Sequence, residues 1–512
     1  MIVLSFCLGT AVDYWRGGMV PFVMTVNVSA ARVLKLNLFP RRSGTRLCSR
    51  RQWLRMSACG GLGLSLSQRL QAEGVAGRSV LSHKPTAKSC LSIFLCGGPS
   101  QPDLWDLKPE APAGIRSTFE PIQTNVPGIL FGSLIPQVAQ HADKLAVVRS
   151  MTHADNDHAG AIARSILGQL PARRGEVYTS RDDHPGLGAI LHRQLGGVGE
   201  APAWVVLPRP FTTNSPPYKG QNGGFLGPAW DPLMFQKEAK GSLTDAPLNF
   251  NAIALPETVS EARLHARYQL LQSIQPQSTV DARSAAVSRM QHAFETGINL
   301  VSSTASNQAF DLSRESDRTR DRYGRNEYGQ SFLMARRLIE AGVRTVNVFW
   351  TFFDSKGCQF NLWDNHGGTT DICGVDGQIT GLQQLTHAYC APSFDRSFSA
   401  LLEDMQDRGL LDETLVTVAG EFGRTPRINA TVGRDHWAHC YTQLLAGGGV
   451  RGGQFYGSSD KQGAYVKDLP VTPDDFAATI LHAFGLSPEM TMNDPLGRPV
   501  RISTGTPVTA LF

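Results

Sequence analysis

The chain has 512 residues, enough for one large α/β domain or two of average size, and its 41% hydrophobic and 18% charged content is that of an ordinary globular protein. Its formal charge of +5 is unevenly placed, because residues 1–76 carry ten basic side chains against only Asp13 and Glu73 and leave the remainder slightly acidic. A mildly acidic body excludes the basic footprint of a nucleic-acid-binding protein, and no stretch of the mature body is apolar for long enough to span a bilayer.

Residues 1–40 fit no export-signal pattern and read as an uncertain N-terminal extension, with Met19 or Met24 as alternative starts. Ser49-Arg50-Arg51-Gln52-Trp53-Leu54-Arg55 then resembles the twin-arginine export motif, with Trp53 where Phe is usual. A weakly apolar stretch, 56–66, and a small-residue cleavage site at Gly74-Val75-Ala76 follow. The pattern predicts a signal peptide over 41–76, export through the twin-arginine translocase, and a periplasmic, extracellular or cell-surface location. Cys59 lies at the start of the apolar stretch instead of after it, which excludes a lipoprotein box. Residues 77–88 read as a linker, and 89–512 as the folded domain.

Residues 91–96 form an apolar strand ending in Gly97-Gly98-Pro99-Ser100, with Asp103 and Asp106 just beyond. A second strand, 145–148, runs into Arg149-Ser150; Asn156-Asp157-His158 opens a helix over 158–167 that Gly168 ends. After a third strand at 203–207, residues 208–330 read as an irregular and partly helical insertion. An amphipathic helix over 328–341 turns Phe332, Leu333, Leu338 and Ile339 inward and stops at Gly342. Strand 345–350 follows, then the loop Trp363-Asp364-Asn365-His366-Gly367-Gly368, then a helix with Phe394, Phe398, Leu401, Leu402 and Met405 on one face and Gly409 at its end. Strand 415–418 leads into Gly420-Glu421-Phe422-Gly423-Arg424-Thr425-Pro426 and Gly433-Arg434-Asp435-His436-Trp437. Strand 443–446 precedes Gly447-Gly448-Gly449, which lacks the Lys-Ser/Thr ending of a phosphate loop and reads as a flexible strand exit. Thr472-Pro473-Asp474-Asp475 starts the last helix, with a hydroxyl cap, proline in its first turn and acids at its positive end. This alternation predicts a three-layer α/β/α sandwich around a mostly parallel sheet.

Six cysteines lie beyond Ala76, and none forms a CxxC pair. Cys90 and Cys96 share one strand and stand roughly 20 Å apart, so they cannot bond to each other. Cys358, Cys373 and Cys390 occupy a loop-rich region, either as a disulfide suited to an oxidising compartment or as buried thiols.

Four groups of side chains carry the chemistry: Asp103 with Asp106; Asn156, Asp157 and His158; Asp364 with His366; and Glu421, Asp435, His436 and His439. Three of the groups follow predicted strands, and ligands bind at the carboxyl ends of parallel strands. Carboxylate with imidazole suits zinc, manganese or iron better than calcium. One or two ions are expected, held by Asp103, Asp364, His366, Glu421, Asp435 and His436, with Arg424 and Arg434 clamping an anion in bidentate fashion. His158 and Asp157 are the candidate catalytic pair.

Gly97-Gly98-Pro99-Ser100, Arg149-Ser150-Met151, Ala335-Arg336-Arg337-Leu338 and the two motifs around Glu421 and His436 resemble, in order, the family named domain of unknown function 1501. These are exported bacterial proteins placed with the alkaline phosphatases and sulfatases. The resemblance covers about residues 90–500 and implies an alkaline-phosphatase-like fold. Residues 409–423 resemble the sulfatase segment that ends in a metal-binding Asp-His pair, which implies Glu421 at the Asp and Phe422 at the His. Ile166-Leu167-Gly168 resembles the sulfatase turn that places the nucleophile near position 158, where this chain has a histidine. The resemblance implies a metal-dependent hydrolase of phosphate or sulfate esters that uses metal-activated water, with no side-chain nucleophile. The alternatives are a non-catalytic envelope protein that binds sulfated or other anionic glycans, or a structural surface protein.

Overall fold

The computed structural model describes residues 81–170, 175–197, 201–212, 217–234, 259–274, 308–353, 359–360, 363–370 and 378–512, together with the strand pair Thr25–Val26 and Leu34–Lys35. Residues Met1–Arg78 and Ser79–Phe512 are separate compact units. In the first, only the antiparallel pairing of those two short strands is described. The expected signal peptide, both alternative start methionines, Cys358, Cys373 and about half of the insertion lie outside the described residues.

The second unit is built on an eight-stranded sheet. In chain order its strands are β1 (Ser89–Leu95), β2 (Leu145–Met151), β3 (Trp204–Leu207), β4 (Leu233–Met234), β5 (Thr345–Trp350), β6 (Thr414–Ala419), β7 (Tyr441–Ala446) and β8 (Gln454–Tyr456). They lie side by side as β8-β2-β7-β6-β1-β5-β3-β4. All pairings are parallel except the two made by β7, which runs against both β6 and β2. The strand expected at 443–446 is therefore the one reversed strand. It can reverse because it enters from the ribbon at the carboxyl edge instead of crossing back over the sheet.

The main helices are α1 (His158–Leu167), α2 (Leu187–Leu195), α3 (Glu327–Glu340), α4 (Ala391–Asp407) and α5 (Pro473–Ala483). Side chains alternate across a strand, and β1 shows the consequence. Leu91, Ile93 and Leu95 face a core shared with α3 and α4, including Phe332, Leu338, Phe394, Leu401 and Met405. Cys90 and Phe94 face the other side, toward Ile162 of α1, Ile190 of α2 and Phe476 and Leu481 of α5. Two helical layers thus cover one mostly parallel sheet, the three-layer sandwich expected from the alternation. Near-continuous apolar strands suit a sheet buried on both faces.

Helix ends follow their local chemistry. Thr472 and Asp475 form a capping box at the start of α5, with Pro473 in the first turn. Gly168 ends α1 at φ 69°, where a Cβ would fall 2.3 Å from Ala477 Cβ, so α1 approaches α5 closely at that point. Residues 81–88, expected as a linker, pack onto the domain: Ser82 N bonds Gly485 O at 2.7 Å and Thr86 N bonds Ala483 O at 2.8 Å. Leu233–Met234 of the expected insertion adds the edge strand β4, and its helix Glu261–Ile274 is also described.

Candidate metal centre

The strands β1, β2, β5 and β6 all deliver their following loops to one edge of the sheet. There, one carboxylate gathers three imidazoles. Asp364 Oδ2 lies 3.0 Å from His158 Nε2 and 3.4 Å from His366 Nε2, and its Oδ1 lies 3.1 Å from His436 Nε2. One donor atom from each of His158, Asp364 and His436 falls within 4.8 Å of the others. His366 stands at the margin of this group and is the most open ring, its side chain 35% exposed against 27% for His436 and 23% for His158.

The far nitrogen of each ring is also fixed. His436 Nδ1 donates to Asn156 O at 3.0 Å and His366 Nδ1 to Gly367 O at 2.8 Å. His158 Nδ1 meets Glu421 Oε1 at 2.9 Å. Carbonyl oxygens only accept, so these contacts set the Nδ1–H tautomer and aim Nε2 at Asp364. A ring with an acceptor at both nitrogens is completed either by a second proton or by a cation on the Nε2 side. Ligating histidines typically give their other N–H to a carboxylate or carbonyl, as all three do here.

Glu421 is fully buried at the end of β6. Its Oε1 accepts from Gly97 N at 2.8 Å as well as from His158, while Oε2 is buried with no partner among the described residues. A buried carboxylate oxygen without a partner is costly. Phe422 lies beneath the imidazoles, its ring 4.5 Å from His436 and 4.9 Å from His158 between centroids. Gly98 admits that ring. At φ +81°, a Cβ there would stand 2.6 Å from Phe422 Cδ2 and 2.9 Å from Phe422 O. Gly98→Ala is expected to destabilise the fold by about 1–3 kcal/mol from backbone strain, with the clash in addition; urea unfolding measures it.

The electrostatics agree with the geometry. Burial alone would lower the His158 pKa, but its hydrogen bonds to Asp364 and Glu421 and their charges push it up to about 9. Burial would raise the Asp364 carboxyl, yet the Arg424 charge and the three imidazoles hold it well below the usual carboxylate range. For His158 the sign follows directly. A raised folded-state pKa gives the cation-free protein stability that is complete below about pH 6.5 and lost as pH rises through about 9. In chelator the thermal midpoint should therefore fall between those values, whereas affinity for a divalent cation should rise over the same interval as the competing proton leaves. Paired melting and titration series at several pH values check both directions.

Several expected site residues lie elsewhere in the structure. Asp103, expected to hold metal, is buried with both oxygens occupied: Arg434 bonds it at 2.9 and 3.2 Å, and Ser100 and Ser117 donate at 2.5 and 2.6 Å. Asp106 pairs with Lys108 at 2.9 Å and Arg149 at 3.5 Å. Asp435 is exposed and accepts from Asn429 Nδ2, and His439 packs edge-on against Trp437 and at a tilt against Tyr465. Asp157, expected to act with His158, caps α1 through Ala159 N and Gly160 N. Arg424 and Arg434, expected to clamp an anion, are buried and turn their guanidinium groups inward onto protein acceptors.

His153 was not expected. It is buried just beyond β2, with Nε2 donating to Glu421 O at 2.6 Å and Nδ1 accepting from Asp155 N at 3.1 Å. Burial lowers its pKa to about 4, so it stays neutral and anchors the Glu421 backbone. Its place directly after a strand was the only available signal.

The family described as "Protein of unknown function (DUF1501)" matches residues 87–512. The chain belongs to this family. No curated protein matches this DUF1501 protein. Solved structures similar to it include the lipoteichoic acid synthase LtaP from Listeria monocytogenes, at 10% identity over 81% of this chain and 78% of that one, TM-score 0.34. Others are the phosphonate monoester hydrolase SpPMH from Silicibacter pomeroyi (13% identity, 78% and 73% covered, TM-score 0.35) and the PsFucS1 sulfatase from Pseudoalteromonas sp. (11% identity, 82% and 70% covered, TM-score 0.35).

Proposed function

We propose that this DUF1501 protein is an exported metal-dependent hydrolase of phosphate or sulfate esters. The observation that carries the reading is the convergence of His158, His366 and His436 on Asp364, beside the unpartnered buried oxygen of Glu421. That donor set fits zinc, manganese or iron, with nitrogen and carboxylate ligands in balance. His158, Asp364 and His436 would hold the ion, and Glu421 would orient His158 from behind.

A divalent cation held by these residues would supply Lewis-acid chemistry, polarising an ester oxygen and making water more acidic. The chain's own residues do the rest. Glu421 holds the Nδ1 proton of His158 and keeps Nε2 turned inward. Asn156 and Gly367 carbonyls do the same for His436 and His366. His366 faces solvent most openly, and its hydrogen bond to Asp364 raises its pKa, so it is placed to give a proton to the leaving oxygen. Position 158 holds an imidazole in place of a hydroxyl or thiol, so attack by water replaces a covalent intermediate in this reading.

Phosphate and sulfate monoesters should be screened with protein purified without chelator, with and without chelator treatment. Turnover that chelator abolishes and added Zn2+ or Mn2+ restores supports the proposal; metal-independent turnover contradicts it. The imidazole at position 158 also favours a second reading, a cation-loaded protein that binds anionic glycans without turning them over. Cation binding with retention on a sulfated polysaccharide, and no turnover of any ester, would select it. Export by the twin-arginine route is part of the proposal and rests on the Arg50-Arg51 motif. Among the described residues no helix is long and apolar enough to cross a membrane.

A further inference from the structure

We infer that Arg424 is a positioning residue that fixes Asp364 and confines the site to a single divalent cation. The inference rests on the cation-binding reading of the cluster. The Arg424 guanidinium is wholly buried, and every donor group finds an acceptor inside the protein. Nε bonds Gly98 O at 2.9 Å and Nη1 bonds Arg434 O at 3.1 Å. Nη2 bonds the carbonyls of Gly97 and Trp363 and, at 2.6 Å, Asp364 Oδ1. These acceptors lie in the loop after β1, in the loop that carries Asp364, and in the residue two before His436. Arg424 itself stands three residues after Glu421, and Arg424 pairs with His436 across a short antiparallel ribbon. One side chain thereby ties together the segments that deliver Asp364, Glu421 and His436.

The number of ions follows from donors and charge. Two-ion sites hold their ions about 3.5–4 Å apart and serve both with a full set of ligands. Here one oxygen of Asp364 is already engaged by a permanent cation, and among the described residues no further carboxylate reaches the cluster besides Glu421. His158, His436 and Asp364, with one outside ligand, complete one four-coordinate ion. Asp364 and Glu421 against Arg424 leave one formal negative charge, which a divalent cation turns to a net positive site suited to an anionic ester. A second divalent ion would face the guanidinium across the same carboxylate with nothing to offset it. Lysine cannot replace this fork, because an ammonium is a point charge that reaches fewer fixed acceptors.

The test is equilibrium dialysis of the full chain against saturating Zn2+ and, separately, Mn2+, with bound metal counted by mass spectrometry and affinity measured by calorimetry. The wild-type protein should bind one equivalent per chain. Arg424→Lys should still bind one equivalent, about 10–100-fold more weakly, the range for losing an outer partner of a ligand. Two equivalents in the wild type would overturn the one-ion inference and leave the metal reading standing. No bound metal would overturn both. Unchanged affinity in a folded Arg424→Lys variant would overturn the positioning role. Should that variant fail to fold, the wild-type stoichiometry still decides the ion number. Gln101→Ala, which removes the side chain that holds the Arg424 main chain at 2.8 and 3.1 Å, should then weaken cation binding in its place; unchanged affinity there would overturn the positioning role.

Discussion

His436→Ala should abolish cation binding and ester turnover together while leaving a folded protein. His436 offers Nε2 to the Asp364 side and has Nδ1 fixed by Asn156 O, so alanine removes a direct donor from the His158, Asp364 and His436 set. Affinity should fall by at least about 100-fold, beyond the 10–100-fold range of outer partners. The ring is 27% exposed and contacts Phe422 on one face, so its loss should cost the fold no more than an ordinary substitution of about 1 kcal/mol. Calorimetric titration with Zn2+ and a melting curve read the two effects separately. Undiminished turnover in the variant would remove His436 from the reaction.

Asp103→Ala should do the opposite. It should destabilise the protein by about 3–5 kcal/mol, because it leaves the buried Arg434 guanidinium without its carboxylate. Cation binding per folded chain should be unchanged. Arg434 also bonds the carbonyls of Thr425 and Ile115, so the Asp103 pair holds the ribbon after β6 to the segment after β1. Urea unfolding gives the cost. A variant as stable as the wild type would show that Arg434 finds other partners, and loss of the cation would return Asp103 to the ligand set. The two substitutions separate a ligand from a brace, a distinction that residue type does not carry.

The fold was largely legible in the sequence because its signals are local. Apolar runs such as 91–96, the helical spacing of Phe394, Phe398, Leu401 and Met405, and the Thr472 to Asp475 cap each state an element without reference to the rest of the chain. The direction of β7 was not legible, because its apolar run reads the same in a parallel or an antiparallel strand. At the site, Asp364, His366, Glu421, His436 and His158 were all named, since carboxylates and imidazoles just beyond strands stand out. Their partition was hidden. Asp103 and Asp435 carry the same side chain as Asp364, and only three-dimensional placement shows that Arg434 and two serines saturate the first and that the second is exposed. The arginines misled for a related reason. A conspicuous Arg beside a carboxylate suggests an anion clamp, yet Arg424 and Arg434 are taken up by the carboxylates of Asp364 and Asp103 and by main-chain carbonyls, and the carbonyls leave no trace in side-chain chemistry. His153 escaped because its partner, too, is a carbonyl.

Anomalous X-ray scattering tests the central claim most directly, from a crystal of protein purified without chelator and soaked in Zn2+, with data collected on both sides of the zinc edge. The account predicts one strong peak per chain, bounded by His158, Asp364 and His436. A peak confined to other residues, or none at this cluster at full occupancy of the soak, would contradict it.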